Sequence, residues 1–187
     1  MAPAKPQADV SQWIYNSAAY IFRWSYLSGV DRERLKMAIL GVYKVNTDDV
    51  VFLVEEKSEM VLPIFIGQNE AMSIQLALEN IKPQRPFTHD LIVNILDELQ
   101  VELEHVTIDG LLKNVYTATL HLRDLTKNRL VKIDARPSDS IAIALRTGSQ
   151  IYADRSLREQ MIPRSSLKLP DQDKKADDDF PDSPYGA

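Results

Sequence analysis

Three observations predict a compact α+β domain in which a mixed or antiparallel sheet packs against helices. Short segments rich in Val, Ile, Leu, Tyr and Phe alternate with turn residues, and other segments carry apolar residues at helical spacing. A strand, turn, strand and helix pattern also recurs at an offset of 69 residues, which predicts an internally duplicated strand–strand–helix unit.

The domain is expected to span residues 37–163. Residues 38–45 and 50–55 read as strands, and Asn46–Asp49 between them is turn chemistry, so they form a hairpin. Glu56–Glu59 is the next turn and Met60–Ile66 the next strand, which Gly67 ends. Asn69 is expected to cap a helix through about Asn80, with Ala71, Ile74 and Leu78 on one face. Pro83 and Pro86 bracket a connector. Thr88 is the expected N-cap of the following helix, which runs to Gln100, with Phe87 and Ile92 as a hydrophobic staple. Leu91, Ile92, Ile95, Leu96 and Leu99 give it an apolar face. Strands follow at about 101–109, 115–123 and 129–135. Ser138–Thr147 reads as a helix ending before Gly148, and Gln150–Ala153 as a strand. Ser156 and Glu159 form a capping-box pair for a last short helix that Pro163 ends.

In the repeat, Leu62, Ile64, Ile66, Glu70, Ile74 and Leu76 correspond to Val131, Ile133, Ala135, Asp139, Ile143 and Leu145. Each unit ends in a helix whose first turn carries an acid, which suits the positive helix end.

The flanks differ from this body. Residues 1–10 are expected to be flexible. Residues 11–36 read as an aromatic-rich helical extension, since six of the chain's 14 aromatics fall between Trp13 and Tyr26. Trp13, Tyr20 and Trp24 lie near one helical stripe, which is the pattern of a partner-binding face. Only Arg23 supplies charge there, so the pattern does not favour a membrane surface. Residues 164–187, acidic and proline-rich, are expected to be disordered.

Composition removes several functions. The 187-residue chain has no cysteine, which excludes disulfides, Cys-ligated zinc, iron–sulfur clusters and cysteine nucleophiles. No apolar run reaches membrane-spanning length and no signal-peptide pattern opens the chain, so a cytoplasmic location is expected. The net charge is −5, and residues 37–165 alone carry −4. A protein that coats nucleic acid through a broad basic face is therefore not expected, although a local basic cleft is compatible with this balance. Gly-x-Ser-x-Gly, Walker A, Gly-x-Gly-x-x-Gly and His-Glu-x-x-His are all absent.

Two segments can carry chemistry. In Asp134-Ala-Arg136-Pro137-Ser138-Asp139-Ser140, backbone amides at a helix start and the Arg136 guanidinium form an anion site, with Ser138 as the expected N-cap. Asp139 opposes a bound phosphate unless Mg²⁺ or Mn²⁺ bridges them, with Asp134 and Asp139 as oxygen ligands. The plainer reading is that Asp139 and Glu70 complement helix dipoles and Arg136 pairs with an acid. In Arg85-Pro86-Phe87-Thr88-His89-Asp90, His89 is a candidate acid or base or metal ligand, or a residue facing water at an ordinary helix start. No motif calls for an organic cofactor.

The runs Leu62–Gly67, Arg85–Leu91 and Val131–Leu145 resemble the bifunctional nuclease domain family over roughly residues 37–163. The resemblance implies a duplicated α+β core, a homo-oligomer with a dimer favoured, and nuclease activity on DNA and RNA. At the matching positions the site expected for such an activity comprises Asp134, Asp139 and His89 as catalytic groups. Arg136, Arg85 and Ser138 would bind phosphate, and Asp134 and Asp139 would hold the metal. The competing reading is a non-catalytic oligomeric scaffold that docks a larger partner or membrane-associated complex through residues 11–28. Small-molecule or nucleotide binding at the Arg136 turn is a third.

Overall fold

The computed structural model describes residues 33–167. The aromatic segment with Trp13, Tyr20 and Trp24, and the residues from 168 onward, lie outside the described residues.

The described chain forms an α+β fold built on one mixed eight-stranded sheet with the spatial order β6-β5-β4-β7-β1-β2-β3-β8. The first half gives β1 (Arg34–Val45), β2 (Asp48–Glu55), β3 (Met60–Ile66) and helix α1 (Gln68–Leu78). Helix α2 (Thr88–Glu98) follows the proline connector. The second half gives β4 (Val101–Leu112), β5 (Val115–Asp124), β6 (Arg129–Ala135) and α3 (Pro137–Thr147). Strand β7 (Gln150–Asp154) then enters the middle of the sheet. It runs antiparallel to β1 and parallel to β4. A 3-10 turn (Arg155–Gln160), the two-residue strand β8 (Ile162–Pro163) and a second 3-10 turn (Arg164–Ser166), which takes the first residues of the tail expected to be disordered, end the described fold. Each half thus has a three-stranded antiparallel meander followed by an 11-residue helix. This is a shared order of elements, and it does not by itself establish a duplication.

Local chemistry accounts for the joints. Asn46 turns the β1–β2 hairpin at φ 57, and Lys113 and Asn114 turn β4–β5 at φ 49 and 64, the left-handed pair a tight hairpin needs. Gly148 ends α3 at φ 70. The first strand starts at Arg34, four residues before the expected start at Ala38, so Arg34–Lys36 are strand and not part of a helical extension.

The helix starts differ from the expected ones. Gly67, not Asn69, is the N-cap of α1, and Phe87, not Thr88, is that of α2. Arg136, not Ser138, precedes α3, because Pro137 suits the first helical position, where no N–H is needed. In the last turn the Asp154 carboxylate, rather than Ser156, is the cap, accepting from the Ser156 N–H at 2.9 Å.

The main core lies between the sheet and the three helices. Strand alternation, reset in β4 by a bulge between Leu103 and His105, turns Leu103, Val106 and Ile108 of β4, and Ala118, Leu120 and Leu122 of β5, toward Ile74 of α1 and Ile141 of α3. A smaller cluster of Val50, Phe52 and Val61 forms apart from it. The expected apolar face of α2 divides in two. Ile92, Val93 and Leu96 pack on the core, while Leu91, Ile95 and Leu99 are 51%, 47% and 62% exposed. The two sets are offset by about one position, so one wide stripe has a dry side and a wet side.

Among the described residues, one fully buried side-chain oxygen lacks a partner, the Ser140 hydroxyl on α3. An unsatisfied buried hydroxyl costs about 1–3 kcal/mol. Ser140→Ala, which also favours helix, is expected to raise the thermal midpoint, as read by circular dichroism.

Candidate functional site

The starts of α1 and α3 lie side by side, and Arg136 ties them. Its Nε and Nη2 donate to the two oxygens of Asp139, at 2.8 and 2.9 Å. Its Nη1 donates to Glu70 Oε1 at 2.8 Å. The first-turn acids of α1 and α3 are thus joined by one guanidinium. Arg136 stands at the N-cap of α3, whereas the N-cap of α1 is Gly67. A Cβ at Gly67 would sit 2.4 Å from Glu70 Oε2, so the glycine leaves the space that this carboxylate fills.

Helix α2 completes the cluster. His89, buried, places Nε2 3.1 Å from Asp139 Oδ1 and Nδ1 2.8 Å from the Ser73 hydroxyl of α1. Arg146, in the last turn of α3, reaches back beneath them. It donates to Asp90 Oδ1 at 2.6 Å, to the Ser73 hydroxyl at 3.2 Å, and to the carbonyls of Ser73 and Ala142. Asp90 Oδ2 accepts from the Phe87 N–H at 2.9 Å, which closes the start of α2. One hydrogen-bonded chain therefore runs from Glu70 through Arg136, Asp139, His89, Ser73 and Arg146 to Asp90.

The charges respond to this arrangement. Burial pushes the Asp139 carboxyl up, but hydrogen bonds from Arg136 and His89 more than reverse it and hold it below the usual range. For Asp90, burial is likewise outweighed by Arg146 and the Phe87 amide. The hydrogen bonds and charge of Asp139, with those of Glu70, raise the pKa of Arg136 further, so it is a permanent cation.

Ser73, His89 and Asp139 have the connectivity of a nucleophile triad, yet the geometry does not make one. Ser73 is buried on the inner side of α1, and its hydroxyl accepts from Arg146. A substrate cannot reach it, so the serine is a structural link.

The other expected residues are placed elsewhere. Asp134 is exposed on β6 opposite Thr119, whose hydroxyl bonds Asp109, and its charge acts on Asp109. Strand alternation sends its side chain to the sheet face away from α3, so the structure does not bring Asp134 to Asp139. Ser138 is buried in the first turn of α3. Arg85 is exposed in the connector before α2. Among the described residues, no group of three or more His, Asp or Glu could hold a metal ion. Ser73 and Arg146 were not foreseen as members of the cluster. The one available signal was a lone cation following the apolar run Ile141–Leu145.

The face of the sheet away from the helices is polar near Asp109. His105 and His121 stack with ring centroids 4.1 Å apart, and Arg34 donates to His105. Burial, with Asp154 and Asp134 nearby, pushes the Asp109 carboxyl up to about 6. An open groove of about 780 Å³ lies at the C-terminal ends of α2 and α3, lined by Asp97, Glu102, Glu104 and Arg146, whose guanidinium is already bonded to Asp90 and Ser73. Carboxylates and helix C-termini both repel phosphate, so the groove does not suit that ligand. No helix among the described residues is long and apolar enough to cross a membrane.

The family model of the bifunctional nuclease domain matches residues 51–164. The chain belongs to the bifunctional nuclease domain family. An uncharacterized protein of Mycobacterium tuberculosis is 40% identical over 133 residues, covering 71% of this chain and 76% of that protein. Bifunctional nuclease 2 of rice, Oryza sativa subsp. japonica, is 29% identical over 109 residues, which is 58% of this chain and 34% of that protein. Bifunctional nuclease 2 of Arabidopsis thaliana is 27% identical over 109 residues, 58% of this chain and 33% of that protein. Residues 68–147, which hold all three helices, lie within the bifunctional nuclease domain match, and so does the Glu70–Asp90 hydrogen-bonded chain.

Two expectations test this geometry. Gly67→Ala should push Glu70 off Arg136 while the Arg136–Asp139 pair persists in a crystal structure of the variant. The accompanying stability loss should stay below about 1 kcal/mol, the usual worth of an exposed ion pair. Asp109→Asn tests the raised carboxyl. The folded protein holds the Asp109 proton up to about pH 6, whereas the unfolded chain releases it near the ordinary value of 3.8. The wild type therefore loses stability as pH rises between these values, and the loss is complete above the higher one. Urea unfolding should show the variant more stable by on the order of 2 kcal/mol at pH 7.5, with the gap closing near pH 4.

Proposed function

We propose that the protein is a nuclease, cleaving phosphodiester bonds of nucleic acid at the Arg136 end of the hydrogen-bonded chain. The observation that carries this reading is the state of Arg136. Its side chain is 65% exposed although three of its N–H groups are bound to Asp139 and Glu70. A guanidinium has five N–H donors, so two remain for the oxygens of a phosphate. Membership of the bifunctional nuclease domain family and the similarity to the plant bifunctional nucleases support it.

In this reading Arg136 binds and orients the phosphate, and its charge offsets the negative charge that grows on the phosphoryl oxygens during attack. Asp139, held by His89, fixes the plane of the guanidinium. Glu70, through the oxygen not bound to Arg136, orients the attacking water and takes its proton. The water oxygen bonds to phosphorus, the phosphorus–oxygen bond to the leaving nucleotide breaks, and that oxygen takes a proton from solvent. Asp134 and Asp139 face different sides of the sheet, so they do not fit a shared Mg²⁺ or Mn²⁺. The scaffold reading rested on Trp13, Tyr20 and Trp24, which lie outside the described residues, so no observation favours it.

Cleavage of labelled single-stranded RNA and DNA by purified protein tests the proposal, run with Mg²⁺, Mn²⁺ or chelator. Arg136→Ala should lower kcat/KM by about 100-fold or more while the variant stays folded by circular dichroism. Arg136→Lys should also fail, because an ammonium cannot span Asp139 and Glu70 as the guanidinium does. Cleavage no greater than a mock preparation, or equal cleavage by both variants, would overturn it.

A further inference from the structure

The hydrogen-bonded chain has a direction. Arg146 is a donor only. Its Nη2 lies 3.2 Å from the Ser73 hydroxyl oxygen, which must therefore accept that bond. The hydroxyl then has its own proton to give, and Nδ1 of His89 stands 2.8 Å away. At the far side of the ring, Nε2 is 3.1 Å from Asp139 Oδ1, an acceptor held ionised by Arg136. With that proton given to Nδ1, the ring carries its own proton on Nε2, where Asp139 accepts it.

We propose that Ser73 and Arg146 are positioning residues of this site, which act through His89 by holding it as the tautomer whose Nε2–H faces Asp139. Neither residue opens onto the Arg136 face: Ser73 is buried, and Arg146, 10% exposed, borders only the groove at the C-terminal ends of α2 and α3. Their effect reaches the substrate side in two steps. His89 pins Asp139 Oδ1, and Asp139 in turn sets the plane of the Arg136 guanidinium. The nucleophile-triad pattern noted above is thereby accounted for, as a serine that donates inward to a histidine rather than one that attacks. The catalytic significance of this assignment rests on the nuclease reading, but the tautomer itself does not.

Nitrogen NMR of the imidazole rings in the full chain tests the proposal directly, because protonated and unprotonated ring nitrogens resonate far apart. The chain has three histidines, and His89→Gln identifies the His89 signals by their loss. The wild type at pH 7.5 should show an unprotonated Nδ1 and a protonated Nε2 at His89. Ser73→Ala should move both His89 nitrogens toward averaged positions, while His105 and His121 on the other face of the sheet stay where they are. Ser73→Thr, which keeps the hydroxyl, should restore the wild-type pattern. A wild-type His89 protonated on Nδ1, or a Ser73→Ala protein with unchanged His89 nitrogens, overturns the proposal. The wild-type measurement decides it even if a variant fails to fold. In the cleavage assay, Ser73→Ala should lower kcat several-fold at unchanged KM, and Ser73→Thr should recover it. Absence of wild-type cleavage would remove the nuclease reading and leave the tautomer result standing.

Discussion

The buried guanidinium of Arg146 is the constraint on which the helical layer depends. It joins α1 through the Ser73 hydroxyl and carbonyl, α2 through the Asp90 carboxylate, and its own helix through the Ala142 carbonyl. A cation taken from water needs such a complete set of acceptors, and removing one partner of a buried pair commonly costs several kcal/mol. The apolar contacts beneath the helices favour burial without choosing their rotation about one another. Directional bonds to three helices supply that choice. They also bring His89 under Asp139, so the exposed end of the chain inherits its geometry from the buried end.

That dependence separates the two layers of the site. Arg136 and Glu70 face solvent and bind by an ion pair that water can replace. His89, Ser73 and Arg146 are dry. An exposed guanidinium on a rigid, buried support is preorganised: it need not be reoriented when an anion arrives. The pairing of first-turn acids with a single arginine also changes what those acids do. Glu70 and Asp139 both offset their own helix dipoles, and together they hold a cation where two positive helix starts alone would repel one.

Much of the fold was legible in the residues. Alternation identified β1 to β7, and helical spacing identified the three helices, because both periods come from backbone geometry alone. The caps were less legible. Ser, Thr and Asn at 138, 88 and 69 were favoured as caps, but the extended backbone of Arg136, Phe87 and Gly67 starts each helix earlier. Glu70, Arg136, His89 and Asp139 were recognised as chemically notable, yet the Arg136–Glu70 and His89–Asp139 contacts join residues 66 and 50 positions apart. No local spacing encodes such a contact. Asp134 is a different case. Val131 and Ala135 pack toward the core, so the parity of β6 already sends residue 134 to the other face. Closeness in sequence to Asp139 outweighed that signal. On α2, five apolar positions were read as one buried face, and their width was the clue that only part of it could be covered.

The position of β7 has a consequence for how the molecule is made. The two meanders touch chiefly through a five-residue strand that is nearly the last element of the described fold. Until residue 154 has left the ribosome, β1 and β4 each present an open sheet edge, and no continuous sheet exists. The two half-sheets must wait for one another across more than a hundred residues, since Arg34 pairs with Asp154. Such non-local closure is slow, and exposed edges invite pairing with other chains in the meantime. The nascent chain is therefore most vulnerable to aggregation just before its final strand emerges, when both half-sheets are present and neither is joined.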